Sequence, residues 1–217
     1  MTSTFIYDAV RTPFGRAAGA LSGMRPDDLA AVVMRAAVER SNVDPARIAD
    51  VIFGDANQAG EDNRNVARFG ALLAGFPTSV TGVTVNRLCA SSVEAVIQGA
   101  RAIESGDAQV ILAGGVESMS RAPYVVEKSA KPWPAVGNQT MWNTSIGWRM
   151  TNPALPKPWT ISNGEAAEKT AGDPLARMAL VPRVLEARGL DVTPGMILRL
   201  EELRDHETAA VLRVILA

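Results

Sequence analysis

Apolar and polar positions follow two periods along the first 120 residues. Residues 4–9, Thr4-Phe-Ile-Tyr-Asp-Ala9, read as a strand that Arg11-Thr12-Pro13 ends. After Arg25-Pro26-Asp27-Asp28, the apolar positions Leu29, Val32, Val33, Ala36 and Ala37 recur at helical spacing. Pro26 and the two acids suit a helix start. Residues 50–54 predict a short strand, and residues 64–74 a second helix built on Val66, Phe69, Leu72 and Leu73. Residues 81–86 predict a third strand leading straight to Cys89, and residues 90–105 a third helix. Residues 108–114 predict a fourth strand, apolar enough to be buried on both faces. Strand and helix therefore alternate as βαβαβαβ. That order predicts an α/β layered fold, with right-handed crossovers where neighbouring strands are parallel.

The pattern changes twice further on. Residues 121–171 hold all four tryptophans (Trp133, Trp142, Trp148 and Trp159) together with six prolines, from Pro123 to Pro158. The prolines argue against long regular elements, and the aromatics against plain disorder. The segment is expected to fold against a scaffold, as binding loops often do. From Gly172 the apolar pattern turns helical again, at residues 175–181 and 199–212. Three regions are expected: an α/β domain at 1–120, a partial loop domain at 121–171 and a distinct tail at 172–217.

Hydrophobic residues make up 47% of the 217 and charged residues 21%, with a formal net charge of −1. A near-neutral chain lacks the basic face that nucleic acid requires. No run reaches the roughly 18 to 20 apolar residues of a membrane span. Asp8 and Arg11 stand where a signal peptide needs its apolar stretch. The expectation is a cytoplasmic protein with neither a nucleic-acid nor a membrane partner.

There is one cysteine, Cys89, and one histidine, His206. Neither an internal disulfide nor a Cys/His zinc site can be built from them. Cys89 is then either a packed thiol, the commoner state of a free cysteine, or a nucleophile. Its position at a strand–helix junction is compatible with chemistry as well as with a thiol packed at the sheet edge. A helix N-terminus carries partial positive charge and unpaired N–H groups, which stabilise a thiolate and can receive an oxyanion. Ala90, Ser91 and Ser92 are small enough to let a thioester approach. The helix that follows is small or apolar around most of its circumference, with Gly99 in its middle. Such a helix expects close packing and a second covering layer.

Four segments carry a resemblance. They are Val10-Arg-Thr-Pro-Phe-Gly15, the stretch from Gln58 to Arg68, Val85-Asn-Arg-Leu-Cys-Ala-Ser-Ser92, and the stretch from Ala113 to Pro123. In this order they resemble the thiolase family over residues 1 to about 171. The residues Gly60 to Asn65 and Gly147 to Pro153 are most similar to its 3-oxoadipyl-CoA and acetyl-CoA acyltransferase branch. The resemblance implies a thiolase-like N-terminal half with part of the loop domain. It implies acyl-CoA thioesters and coenzyme A as substrates, with no separate cofactor. It also implies a mechanism. The cysteine matching Cys89 attacks the 3-keto carbon of a 3-oxoacyl-CoA, acetyl-CoA leaves, and a second coenzyme A takes the acyl group from the enzyme.

The chain departs from the family at three places. Cys89-Ala-Ser-Ser stands where Cys-Gly-Ser-Gly is usual, and Asn163-Gly164 where relatives often place Met-Gly. The third departure is an absence. The family's second half supplies a histidine, a second cysteine and an asparagine, and none of their motifs occurs here. His206 lies in Arg-Asp-His-Glu-Thr, which matches no thiolase motif and reads as a helix-surface residue. The expectation is an acyltransferase incomplete as a single chain. A homo-oligomer, or association with a full-length thiolase, would be its partner state, and the alternatives are a split enzyme and a non-catalytic binding half.

Overall fold

The computed structural model describes residues 3–129 and 138–170. The expected helices at 175–181 and 199–212, together with Trp133 and His206, lie outside the described residues.

Helix α1 spans Pro26–Ser41. Arg25 enters it in an extended conformation, Pro26 fills the first position, and Asp27 and Asp28 occupy the first turn. It ends where Asn42 turns left-handed, with its N–H bonded to the Glu39 carbonyl. Strand β1 is Asp50–Gly54. Helix α2, Val66–Leu73, starts behind Asn65, whose side chain accepts the Arg68 N–H. The same Asn65 donates to the Gly82 carbonyl and accepts from Thr84 Oγ1, so one side chain both caps α2 and ties it to the next strand. Strand β2 is Thr81–Val85, helix α3 Ser91–Ser105 and strand β3 Ile111–Gly115.

The three strands form one parallel sheet in the order β2-β1-β3. Alternation along β1 sorts the layers. Val51 and Phe53 join Ala30, Met34, Val66, Ala67 and Ala71 in a core beneath α1 and α2. Ile52 and Gly54 turn to the other face, where α3 lies. Gly99 brings α3 close: a Cβ there would sit 2.9 Å from the Ile111 side chain. The α/β layering expected from the sequence is present.

Three expectations need correction. Residues 4–9 form no strand. A strand exists through its ladder, and this segment's described ties run to helices instead: Thr4 to the Ala100 carbonyl of α3, and Asp8 to Arg40 of α1. Phe5, Ile6 and Tyr7 are left about four-fifths exposed. Strand β3 was expected to be buried on both faces, but its five residues are only half-buried, since β1 is its one neighbour among the described residues. The outer face of α3, with Val93, Val96 and Ile97, is exposed among the described residues, so the expected second layer is not found there.

Among the described residues after β3 the elements are short, in keeping with the prolines. Tyr124–Val126 (β4) and Met141–Asn143 (β5) pair antiparallel. Thr144, which is buried, fastens this hairpin. It accepts from Asn57 Nδ2 and donates to the Pro123 carbonyl. The first compact unit ends at Ile146 and a second begins at Gly147. In the second, Lys157–Thr160 form a 3₁₀ turn, Asn163–Thr170 form α4, and the Trp148 indole donates to the Ile161 carbonyl. No helix among the described residues is long and apolar enough to cross a membrane.

Met34 is the largest wholly buried side chain of the α1–α2 core. Met34→Ala should cost about 2–5 kcal/mol in urea unfolding. Val32→Ala, at a position on α1 that is 44% exposed, should cost less than about 0.5 kcal/mol. Equal losses for the two would contradict this assignment of faces.

Candidate active site

Cys89 lies at the carboxyl end of the parallel sheet, the usual place for a ligand in such folds. It is exposed. Strand β2 stops at Val85, and after five intervening residues α3 takes over at Ser91. Leu88 makes that change of direction possible by adopting a left-handed conformation, φ 51°. For a branched residue this costs roughly 1 kcal/mol or more. The Ala90 N–H bonds to the Arg87 carbonyl, and the Ser91 N–H to the Leu88 carbonyl. Ser91, which is buried, accepts the Arg87 N–H at 2.9 Å and donates its hydroxyl to the Leu88 carbonyl. By helix geometry the N–H groups of Ser92 and Val93 have no carbonyl four residues back within α3. They and the helix dipole give this end its positive character. Arg87 reaches over the first turn to pair with Glu94 at 2.7 Å. The Glu94 carboxyl is held below its usual range, first by Gln98 and then by Arg87.

Two glycines set this turn on the sheet. A Cβ on Gly54 would lie 2.3 Å from the Ser91 carbonyl carbon and 2.4 Å from the Ser92 nitrogen. On Gly115 it would lie 2.0 Å from Ser92 Oγ and 2.8 Å from the Gly54 carbonyl oxygen. The end of β1 therefore touches the backbone of the helix start directly, and the end of β3 meets the Ser92 side chain. Sequence reasoning missed Gly54, although a glycine closing an apolar strand is a signal for close approach. It also missed Asn86, which bonds both the Ala56 carbonyl and the Leu88 N–H.

An acidic group lies at the same end of the sheet. Asp55 directly follows β1 and is 1% exposed. Its N–H bonds to the Val85 carbonyl, and its Oδ1 accepts the Asn57 N–H at 3.1 Å. Its Oδ2 is buried with no donor. The Asp62 carboxyl is also buried and acts on Asp55 electrostatically. Burial pushes the Asp55 carboxyl up to about 8, with Asp62 and Glu117 adding to the effect. Burial also raises Asp62 and Glu117. Glu117 is exposed as a residue, but its carboxylate turns in to accept the Ala56 N–H. Among the described residues no group of three or more His, Cys, Asp or Glu side chains is arranged to hold a metal. The sequence pattern gave no warning of this pair; only folding brings residues 55 and 62 together.

Asp55 makes stability depend on pH. Unfolded, it ionises near 3.8; folded, it keeps its proton to about 8. Between these values the folded state binds more protons, so stability falls as pH rises. Asp55→Asn, uncharged throughout, should flatten that fall. At pH 8 it should gain stability on the order of a few kcal/mol. Thermal unfolding at pH 5 and pH 8 tests this, and parallel slopes for the two proteins would refute a protonated Asp55. Gly54→Ala should lose about 1–3 kcal/mol from overpacking and disturb the Cys89 turn. Unchanged unfolding in that variant would rule out the close approach.

A family model described as "Thiolase, N-terminal domain" matches residues 4–171. A second, described as "Protein of unknown function (DUF455)", matches residues 163–217. The tail from Gly172 thus falls outside the thiolase match, in line with its lack of thiolase motifs. The beta-ketoadipyl-CoA thiolase of Acinetobacter baylyi is 54% identical over 173 residues, 79% of this chain and 43% of the relative. The 3-oxoadipyl-CoA/3-oxo-5,6-dehydrosuberyl-CoA thiolase of Escherichia coli K12 is 51% identical over the same shares. Among solved structures, the acetyl-CoA acetyltransferase of Bacillus anthracis is 32% identical with a TM-score of 0.69, covering 91% of this chain and 47% of that one. The Acat5 thiolase from Ascaris suum in complex with coenzyme A is 31% identical with a TM-score of 0.65, covering 78% and 42%. This chain spans less than half the length of these relatives. With that family model covering most of its residues, the chain belongs to the thiolase family.

Proposed function

We propose that this chain supplies the nucleophilic half of a thiolase-type acyl transfer acting on 3-oxoacyl-CoA and coenzyme A. The observation that carries the reading is the exposed Cys89 at the start of α3, on a turn fixed by Ser91 and by the glycines beneath it. The thiolate attacks the 3-keto carbon, and the helix-start N–H groups face charge developing there. The bond between carbons 2 and 3 breaks, and acetyl-CoA departs after its carbanion takes a proton. The acyl thioester on Cys89 then passes to the thiol of a second coenzyme A, which returns the cysteine. The relatives named for beta-ketoadipyl-CoA and 3-oxoadipyl-CoA favour a dicarboxylic acyl chain.

The groups that move protons come from outside these 217 residues. The sequence has one histidine, in a segment matching no thiolase motif, and no cysteine besides Cys89. A second reading follows from the exposed Val93, Val96 and Ile97 of α3. On that reading the chain binds a polypeptide that covers this face, either to complete an enzyme or without catalysis.

The purified chain should show no thiolysis of acetoacetyl-CoA or 3-oxoadipyl-CoA above background, because each missing acid–base group is worth roughly 10²–10⁴-fold. Incubation with acetoacetyl-CoA should nevertheless place an acyl group on Cys89, read by intact-protein mass and absent in Cys89→Ala. No acylation would overturn the nucleophile. Normal turnover by the chain alone, lost in Cys89→Ala, would overturn its incompleteness.

A further inference from the structure

Asn86 sits between the end of β2 and the cysteine, and its side chain bonds in two directions. Nδ2 donates to the Ala56 carbonyl at 3.0 Å, on the segment that leaves β1. Oδ1 accepts the Leu88 N–H at 2.8 Å. From this geometry we infer that Asn86 is a positioning residue for the Cys89 thiol, acting through the backbone of Leu88. The inference rests on the reading of Cys89 as the acyl-accepting nucleophile and deepens it.

The physical case starts with Leu88. Its left-handed backbone is unfavourable, so surrounding contacts must hold it. Both of its polar backbone groups are held. The N–H goes to Asn86, and the carbonyl receives the Ser91 N–H and hydroxyl. These two sets of contacts differ in kind. Ser91 belongs to α3, and the helix start is fixed independently by Gly54 and Gly115. Asn86 belongs to the sheet side, anchored by its bond to Ala56 and by the preceding Val85, whose carbonyl accepts the Asp55 N–H. Without Asn86 the Leu88 N–H loses its acceptor, and Leu88 is free to relax toward negative φ. The helix start stays where the glycines hold it. What moves is the residue between them, Cys89. Misplacing a reacting group by about 1 Å can cost on the order of 10²-fold in rate.

The test uses the full chain and two variants. Asn86→Ala removes both bonds. Asn86→Asp keeps an acceptor for the Leu88 N–H and loses the donor to Ala56. Two rates are read on folded protein: alkylation of Cys89 by iodoacetamide, and its acylation by acetoacetyl-CoA. Asn86→Ala should slow both by about tenfold to a hundredfold. Asn86→Asp should recover the rates to within about threefold of the parent, because the bond to Leu88 is the one that matters. A merely structural role for Asn86 would shift the unfolding midpoint and leave the rates of folded protein alone. Alkylation of Asn86→Ala within about twofold of the parent overturns the inference, as does Asn86→Asp reacting as slowly as Asn86→Ala. If Asn86→Ala does not fold, Asn86→Asp decides alone, and a tenfold loss in that variant counts against the inference. If the parent is alkylated but never acylated, the nucleophile reading falls while the alkylation comparison still decides the role of Asn86.

Discussion

The contact between the ends of β1 and β3 and the first turn of α3 governs the rest of this molecule. Gly54 lets strand backbone meet helix backbone with no side chain between them, and Gly115 leaves room for the Ser92 side chain. A helix N-terminus is usually capped by a side chain, and Ala90 offers none. The sheet takes over the task of holding α3 in place. Because the strands are parallel, their carboxyl ends lie together, and everything borne by the segments that leave them converges there. Cys89, Asn86, Asp55 and Glu117 come from three separate strand ends, yet occupy one edge of the sheet.

That convergence also explains the unusual electrostatics. The segment after β1 must turn under the segment after β2, and Asp55 is buried at the turn. A charge placed there is expensive unless paired, and the neighbours are acids rather than bases. Retaining a proton is the least costly state. The basic partners in this region serve elsewhere: Arg121 and Arg25 both pair with Glu61, whose carboxyl is held below its usual range chiefly by Arg121. The loop from 55 to 65 thus has an ionised outer rim and a protonated inner carboxyl. Both fix its path, by different means.

Helix α3 shows how one element can be fully specified on one side and open on the other. Ser91, Ala95 and Gly99 are buried against the sheet. Val93, Val96 and Ile97 lie on its exposed part. Its sequence suits close packing all round, which is why the pattern alone predicts two layers over it. The thiolase relatives are more than twice as long as the part of them this chain matches.

The sequence by itself determined the alternation of elements, the position of Cys89 between a strand and a helix, and the family. Each rests on local physics. Period 3.6 in residues 26–41 and short apolar runs at 50–54 and 81–85 are written in adjacent residues, and so is the junction at 85–92. Tertiary structure decided what depends on distant partners. Residues 4–9 have the apolar content of a strand, yet their described hydrogen bond and ion pair go to α3 and α1. Asp55 and Asp62 read as ordinary solvated acids until folding buries both. Asn86 reads as a turn residue until Ala56 and Leu88 are seen on either side of it. Periodicity reports which face a residue shares with its near neighbours; it holds no information on which backbone from elsewhere will arrive within hydrogen-bonding distance.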